Sequence, residues 1–111
     1  MWVMIAGPYH SGSTDATQWE RNLQVMNQAA WQLFNKGHIP IIGVNMALPV
    51  IDAAGVEHYE TLMMPISLSL ADRCDAILRI AGESSGADQE VAIFISKCLP
   101  VYYSISDVPS I

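Results

Sequence analysis

The run Gly82-Glu83-Ser84-Ser85-Gly86-Ala87-Asp88-Gln89-Glu90 joins an apolar stretch to a helical one and combines residues that hold anions with one that can attack an electrophile. Its small side chains let a ligand approach the backbone, and the free N–H groups of a helical first turn can hold a phosphate or carboxylate. The same run also reads as an ordinary helix start, with Ser85 as cap and Asp88 three residues on. Glu90 falls in or just after the first turn, where the positive end of the helix favours the ionised form. Facing a crevice, an ionised Glu90 can attack an electrophilic carbon. Facing water, it is a solvated helix residue.

A second group of candidates lies in residues 8–16, PYHSGSTDA. Tyr9, His10, Ser11, Ser13 and Thr14 offer hydroxyls, an aromatic face and one potential cation, which suits a ribose, a base or a phosphate. An ordinary polar loop is the alternative. The glycines here, Gly7 and Gly12, are isolated, and neither a Gly-x-Gly-x-x-Gly run nor a P-loop is present, so a dinucleotide cofactor is not indicated. Without a Cys-x₂-Cys pair or a His/Cys cluster, no metal is indicated. A Ser/His/Asp triad can be assembled on paper, but no Gly-x-Ser-x-Gly elbow supports it. His38, beside Gly37, is expected to cap a helix C-terminus. His58 opens a helix and is expected to be exposed, and Met63-Met64 reads as core.

These residues need elements to position them. Trp2 to Ala6 predicts a buried strand, broken by Gly7-Pro8. A helix is expected from about Thr17 to Lys36, with capping boxes competing at Thr17-x-x-Glu20 and Asp15-x-x-Gln18. Trp19, Leu23, Met26, Ala30 and Leu33 give it one apolar face, and Gly37 stops it. Ile39 to Ile42 predicts a second strand, placed at an edge by Pro40. Residues 43–57 show no clear period and read as a long loop, a lid or a pocket wall. A helix follows from about His58 to Arg73, with a kink or restart expected at Pro65. The remaining expectations are a strand from Asp75 to Ile80, a turn at 82–86, a helix from about Ala87 to Lys97 and a strand from Leu99 to Tyr103. This alternation predicts one α/β domain of three layers with a mostly parallel sheet in the order 2-1-3-4. Strands 1 and 3 are then neighbours whose chains leave in opposite directions, and the crevice lies at their carboxyl ends, between loops 7–16 and 82–86.

Bulk properties narrow the function classes. The 111 residues fit one domain; 51% are hydrophobic and 14% charged, a surplus that predicts a homo-oligomer, a dimer by default. The net charge is −6, and the five basic residues Arg21, Lys36, Arg73, Arg79 and Lys97 form no patch, so nucleic acid is not an expected partner. The opening Met1 to Ala6 is too short for a signal peptide or a membrane span, and two cysteines, Cys74 and Cys98, suit free thiols in a cytoplasmic setting.

Three segments together resemble the nucleoside 2-deoxyribosyltransferase superfamily. They are Met4-Ile5-Ala6-Gly7-Pro8-Tyr9, Ala71-Asp72-Arg73-Cys74-Asp75-Ala76-Ile77, and Ser84-x-Gly86-x-x-x-Glu90 with the later Leu99-Pro100-Val101. The resemblance spans nearly the whole chain and is nearest to a small branch with Ser-x-Gly-Ala-x-x-Glu. It implies a flavodoxin-like fold and a retaining attack on C1′ of a nucleoside or nucleotide, with Glu90 as nucleophile, no cofactor and a small-molecule substrate. It further implies substrate contacts at Gly7, Tyr9, His10, Ser67, Ser84 and Gly86. Ser84 matches a serine that holds the 5′-phosphate in relatives hydrolysing deoxynucleoside monophosphates, and Gly86 a glycine that lets the backbone approach the ligand. His10 stands where those hydrolases have an arginine, which makes it a pH-dependent phosphate contact. Ser67 stands where the family carries an aspartate that handles protons on the leaving base. Glu60, two helical turns back on the same face, is the substitute within reach. Two alternatives to an enzyme are a nucleotide-binding module without turnover, suggested by Ser67, and an oligomeric structural or interaction protein, suggested by the apolar surplus.

Overall fold

The structure is a computed structural model that describes residues 1–10 and 14–111. Ser11, Gly12 and Ser13 lie outside the described residues. Four strands form a parallel sheet: β1 (Trp2–Ala6), β2 (Ile39–Ile42), β3 (Ala76–Arg79) and β4 (Val101–Tyr102). Their order is β2-β1-β3-β4, and the described helices are α1 (Ala16–Asn35), α2 (Gly43–Ala54), α3 (Tyr59–Ala71) and α4 (Ser85–Ser96). This is the expected α/β architecture, a flavodoxin-like three-layer sandwich.

Side chains along β1 alternate between two cores, as the pleat requires. Val3 and Ile5 join Met26, Ala29 and Leu33 of α1 on one face, while Met4 and Ala6 join Ala71, Val91 and Phe94 of α3 and α4 on the other. β1 and β3 are covered on both sides, so they read as continuous apolar runs. Pro40 lies opposite Val3 in β2 at the sheet edge, where its missing N–H costs no ladder bond.

Residues 43–57 are a correction to the expected loop. They form α2 followed by a 3₁₀ turn at Val56–His58, and α2 begins directly where β2 ends. Gly43, Ala47 and Ile51 recur every four residues and are buried, and Ala47 and Ile51 pack with Met63 of α3. Pro49 inside the segment and apolar residues around most of the helix hid that period. At Pro65 the helix does not restart: α3 is one continuous helix with the proline inside it. The carbonyl that loses its helical bond belongs to exposed Thr61, where water can serve it.

His38 caps α1 with its backbone N–H, which donates to the Leu33 carbonyl at 3.1 Å, while its side chain is engaged elsewhere. Its imidazole is 1% exposed, with Nε2 2.6 Å from the Pro109 carbonyl and Nδ1 3.1 Å from the Met1 amino group. A carbonyl only accepts, so Nε2 carries the proton and Nδ1 receives the bond from the amino group. Gly37, at φ +94°, lets the chain turn so that its own N–H and that of His38 close the end of α1. His58 is exposed, as expected, and no helix among the described residues is long and apolar enough to cross a membrane.

Candidate functional site

Two loops meet at the carboxyl ends of β1 and β3, where the chains diverge toward α1 and α4. Their crossing is close enough to demand glycine. A Cβ on Gly7 would lie 2.8 Å from the Ile80 Cβ, and one on Gly82, at φ +123°, would lie 2.6 Å from Pro8. The Ile80 N–H donates to the Ala6 carbonyl at 2.7 Å and ties the two strand ends together.

Arg79, the last residue of β3, shapes the second loop. Its buried guanidinium donates to the carbonyls of Ile80 and Gly82, the latter at 2.9 Å, and binds the Asp88 carboxylate at 3.0 Å. The loop thus curls around a fixed cation and delivers Ser84 to the start of α4. Sequence reasoning missed this role. The available signal was a lone charge in the otherwise apolar Ala76-Ile77-Leu78-Arg79-Ile80.

The N-cap of α4 is Ser84, not Ser85. Its Oγ accepts from the Ala87 N–H at 3.1 Å in a side chain that is 5% exposed. Because the oxygen accepts there, the hydroxyl proton is left for another group. The N–H groups of Ser85 and Gly86 precede the first i→i−4 bond of the helix, which runs from Asp88 to Ser84. For α1 the competition between caps falls to Asp15, whose Oδ1 accepts from the Thr17 N–H at 2.9 Å.

A cavity of about 240 Å³ opens between this helix start, the loop after β1 and α3. Gly7, Tyr9, His10, Ser67, Ser84, Gly86 and Glu90 all line it, so the structure brings these seven together, whereas Thr14 is exposed and does not line it. Tyr59 and Glu60 at the start of α3 line it as well. A more open depression of about 330 Å³ near Tyr103 is largely apolar and lacks comparable convergent groups.

Glu90 departs from the sequence expectation in one respect. It sits in the second turn of α4 and is 8% exposed, so burial outweighs the helix end. Desolvation pushes its carboxyl up to about 7, with the Arg79 guanidinium pulling the other way. Ser67 is buried on α3, and its Oγ has a long contact, 4.0 Å, to the Met63 sulfur. Gly43 packs directly over it: a Cβ there would lie 2.5 Å from the Ser67 Oγ.

The mouth of the cavity is aromatic. The His10 ring stacks on Tyr9 at 4.6 Å and on Tyr59 at 4.4 Å, centroid to centroid, with Trp19 at 3.9 Å. Burial lowers the His10 pKa, while Glu60 raises it. That balance works against the cation expected at this position. A neutral His10 offers an N–H and a ring face instead. Tyr59 is pushed up to about 12 by burial, with the charges of Tyr9 and Glu60 adding to it.

The arrangement therefore combines a desolvated carboxyl, a helix start with amide donors and a hydroxyl, and stacked rings at the entrance. In comparisons with known proteins, no family model matches the chain and no curated protein matches it.

Proposed function

We propose that the protein cleaves, or transfers across, the N-glycosidic bond of a nucleoside 5′-monophosphate, with Glu90 as nucleophile. The observation that carries this reading is that the buried Glu90 carboxyl and the first turn of α4 open onto one small cavity. In this reading C1′ sits beside Glu90 and the 5′-phosphate meets the Ser84 hydroxyl and the Ser85 and Gly86 amides, residues that line the same cavity as Glu90. The base then points toward Tyr9, His10 and Tyr59. The order of motifs that resembles the nucleoside 2-deoxyribosyltransferases supports the same assignment. In the proposed reaction the ionised Glu90 forms a glycosyl ester as the base leaves, and water or a second base resolves it. A homo-oligomer remains part of the proposal.

Ser67 favours a second reading, a nucleotide-binding module without turnover, because a buried hydroxyl cannot supply a proton near neutral pH. Chromatography of free base released from ribo- and deoxynucleoside 5′-monophosphates separates the two. Release by the parent protein and its loss in Glu90→Gln support the enzyme. No release by a folded sample that nucleotides still stabilise against heat supports the module.

A further inference from the structure

We propose that Glu60 is the catalytic residue that protonates the departing base and then deprotonates the incoming water, an assignment that rests on the glycosidase reading above. Cleavage leaves an electron pair on the ring nitrogen of the base, and a neutral departing base needs a proton there or elsewhere on its ring. Among the described residues, the titratable side chains lining the cavity are Tyr9, His10, Tyr59, Glu60 and Glu90. Glu90 is occupied in attack. Burial strengthens the hold of both phenols on their protons, most for Tyr59 at about 12. The His10 ring is clasped between Tyr9 and Tyr59, and burial disfavours its cationic form. Glu60 remains.

Its placement suits the role. Glu60 lies in the first turn of α3, exposed, and lines the cavity together with His10 and Tyr59 of its aromatic mouth. The leaving base occupies that mouth, whereas the sugar and phosphate lie deeper, against α4. Glu60 and Ser67 lie on the same continuous helix α3, two turns apart, and both line the cavity.

The chemistry balances without a co-reactant. In the first step a Glu90 oxygen bonds to C1′, the C1′–N bond breaks with its electron pair on nitrogen, and the Glu60 proton passes to the base. In the second step a water oxygen bonds to C1′, the C1′–O bond to Glu90 breaks with its pair returning to the carboxylate, and the water proton passes to Glu60. The products are free base and a sugar 5-phosphate, and both glutamates return to their starting states.

The test compares a purine deoxynucleoside 5′-monophosphate with its N7-methylated counterpart, whose cationic base leaves as a neutral molecule and needs no proton. Glu60→Gln is expected to lose about 10²- to 10⁴-fold in kcat/KM on the unmethylated substrate and less than about tenfold on the methylated one. Glu60→Asp should recover part of the loss, and Glu90→Gln should be inactive on both substrates. Equal losses on the two substrates in Glu60→Gln, or no loss, would overturn the role of Glu60 and leave the glycosidase reading standing. A parent protein that releases base from neither substrate removes the glycosidase reading and Glu60 with it. The Gln variant is isosteric at an exposed position, and a melting curve matching the parent's verifies its fold.

Discussion

Glu90 links function to stability at a single residue. As the proposed nucleophile it acts only when ionised, so on the N7-methylated substrate, which needs no proton on its leaving base, kcat/KM is expected to rise with pH through about 7 and level off above it. The same carboxyl holds its proton more tightly folded than unfolded, where its ordinary value is 4.5. The favourable contribution of the protonated form is thus fully present below about 4.5 and lost as pH passes about 7. The displacement corresponds to about 3 kcal/mol. Urea unfolding should therefore find Glu90→Gln more stable than the parent at pH 8 by up to about 3 kcal/mol, with the gap closing toward pH 5. An unchanged gap between the two pH values would contradict a desolvated carboxyl. Ser84 separates capping from substrate contact. Aspartate is as good an N-cap as serine, so Ser84→Asp is expected to leave the melting temperature near the parent's. It should nevertheless weaken binding of a nucleoside 5′-monophosphate at least tenfold by calorimetry, because it sets a carboxylate against the phosphate. Unchanged affinity would remove Ser84 from the phosphate site.

The element that decides the site is the turn between β3 and α4. Arg79 fixes it through the carbonyls of Ile80, Gly82 and Ser84 and the Asp88 carboxylate, and a lysine cannot reproduce that forked set. Arg79→Lys is expected to cost about 2 kcal/mol in urea unfolding, from lost hydrogen bonds to a charged donor. Asp88→Asn should cost under about 1 kcal/mol, since Asp88 is mostly solvated. A loss at Arg79 no greater than that at Asp88 would contradict the turn-shaping role. The strands, their order and the crevice between the two loops could be read from the sequence. Pro40 marked an edge, Gly7-Pro8 and Gly82 marked the crossing, and alternating apolar segments implied parallel pairing. The helical state of 43–54 could not, because Pro49 and an apolar residue at most positions blur a four-residue period. The cap at Ser84 rather than Ser85 depends on the backbone conformation of one residue, which composition does not report. The burial of Glu90 depends on α3 closing over α4, a tertiary fact with no local sign.

Across the whole molecule, the chain after β4 completes the core beneath α1. Val108 is 1% exposed among Val3, Leu33 and Leu78, while Lys36 donates to its carbonyl at 2.7 Å and His38 holds Pro109. Val108→Ala is expected to cost about 2 kcal/mol with an unchanged urea m-value. A negligible loss would mean that the tail does not pack on α1. The apolar surplus noted in the composition is only partly internal: Trp31 and Phe34 of α1 are 59% and 57% exposed, on the face turned away from the sheet. The polar groups of the cavity, by contrast, gather at the carboxyl ends of β1 and β3.

The most direct test of Glu90 as a nucleophile is the stereochemistry of the product. A β-configured deoxynucleoside 5′-monophosphate is turned over in water containing methanol, and the methyl glycoside is assigned by proton NMR. Two successive displacements at C1′ predict the β-methyl glycoside, with configuration retained. The α-methyl glycoside, formed by a single inverting displacement, would contradict the account.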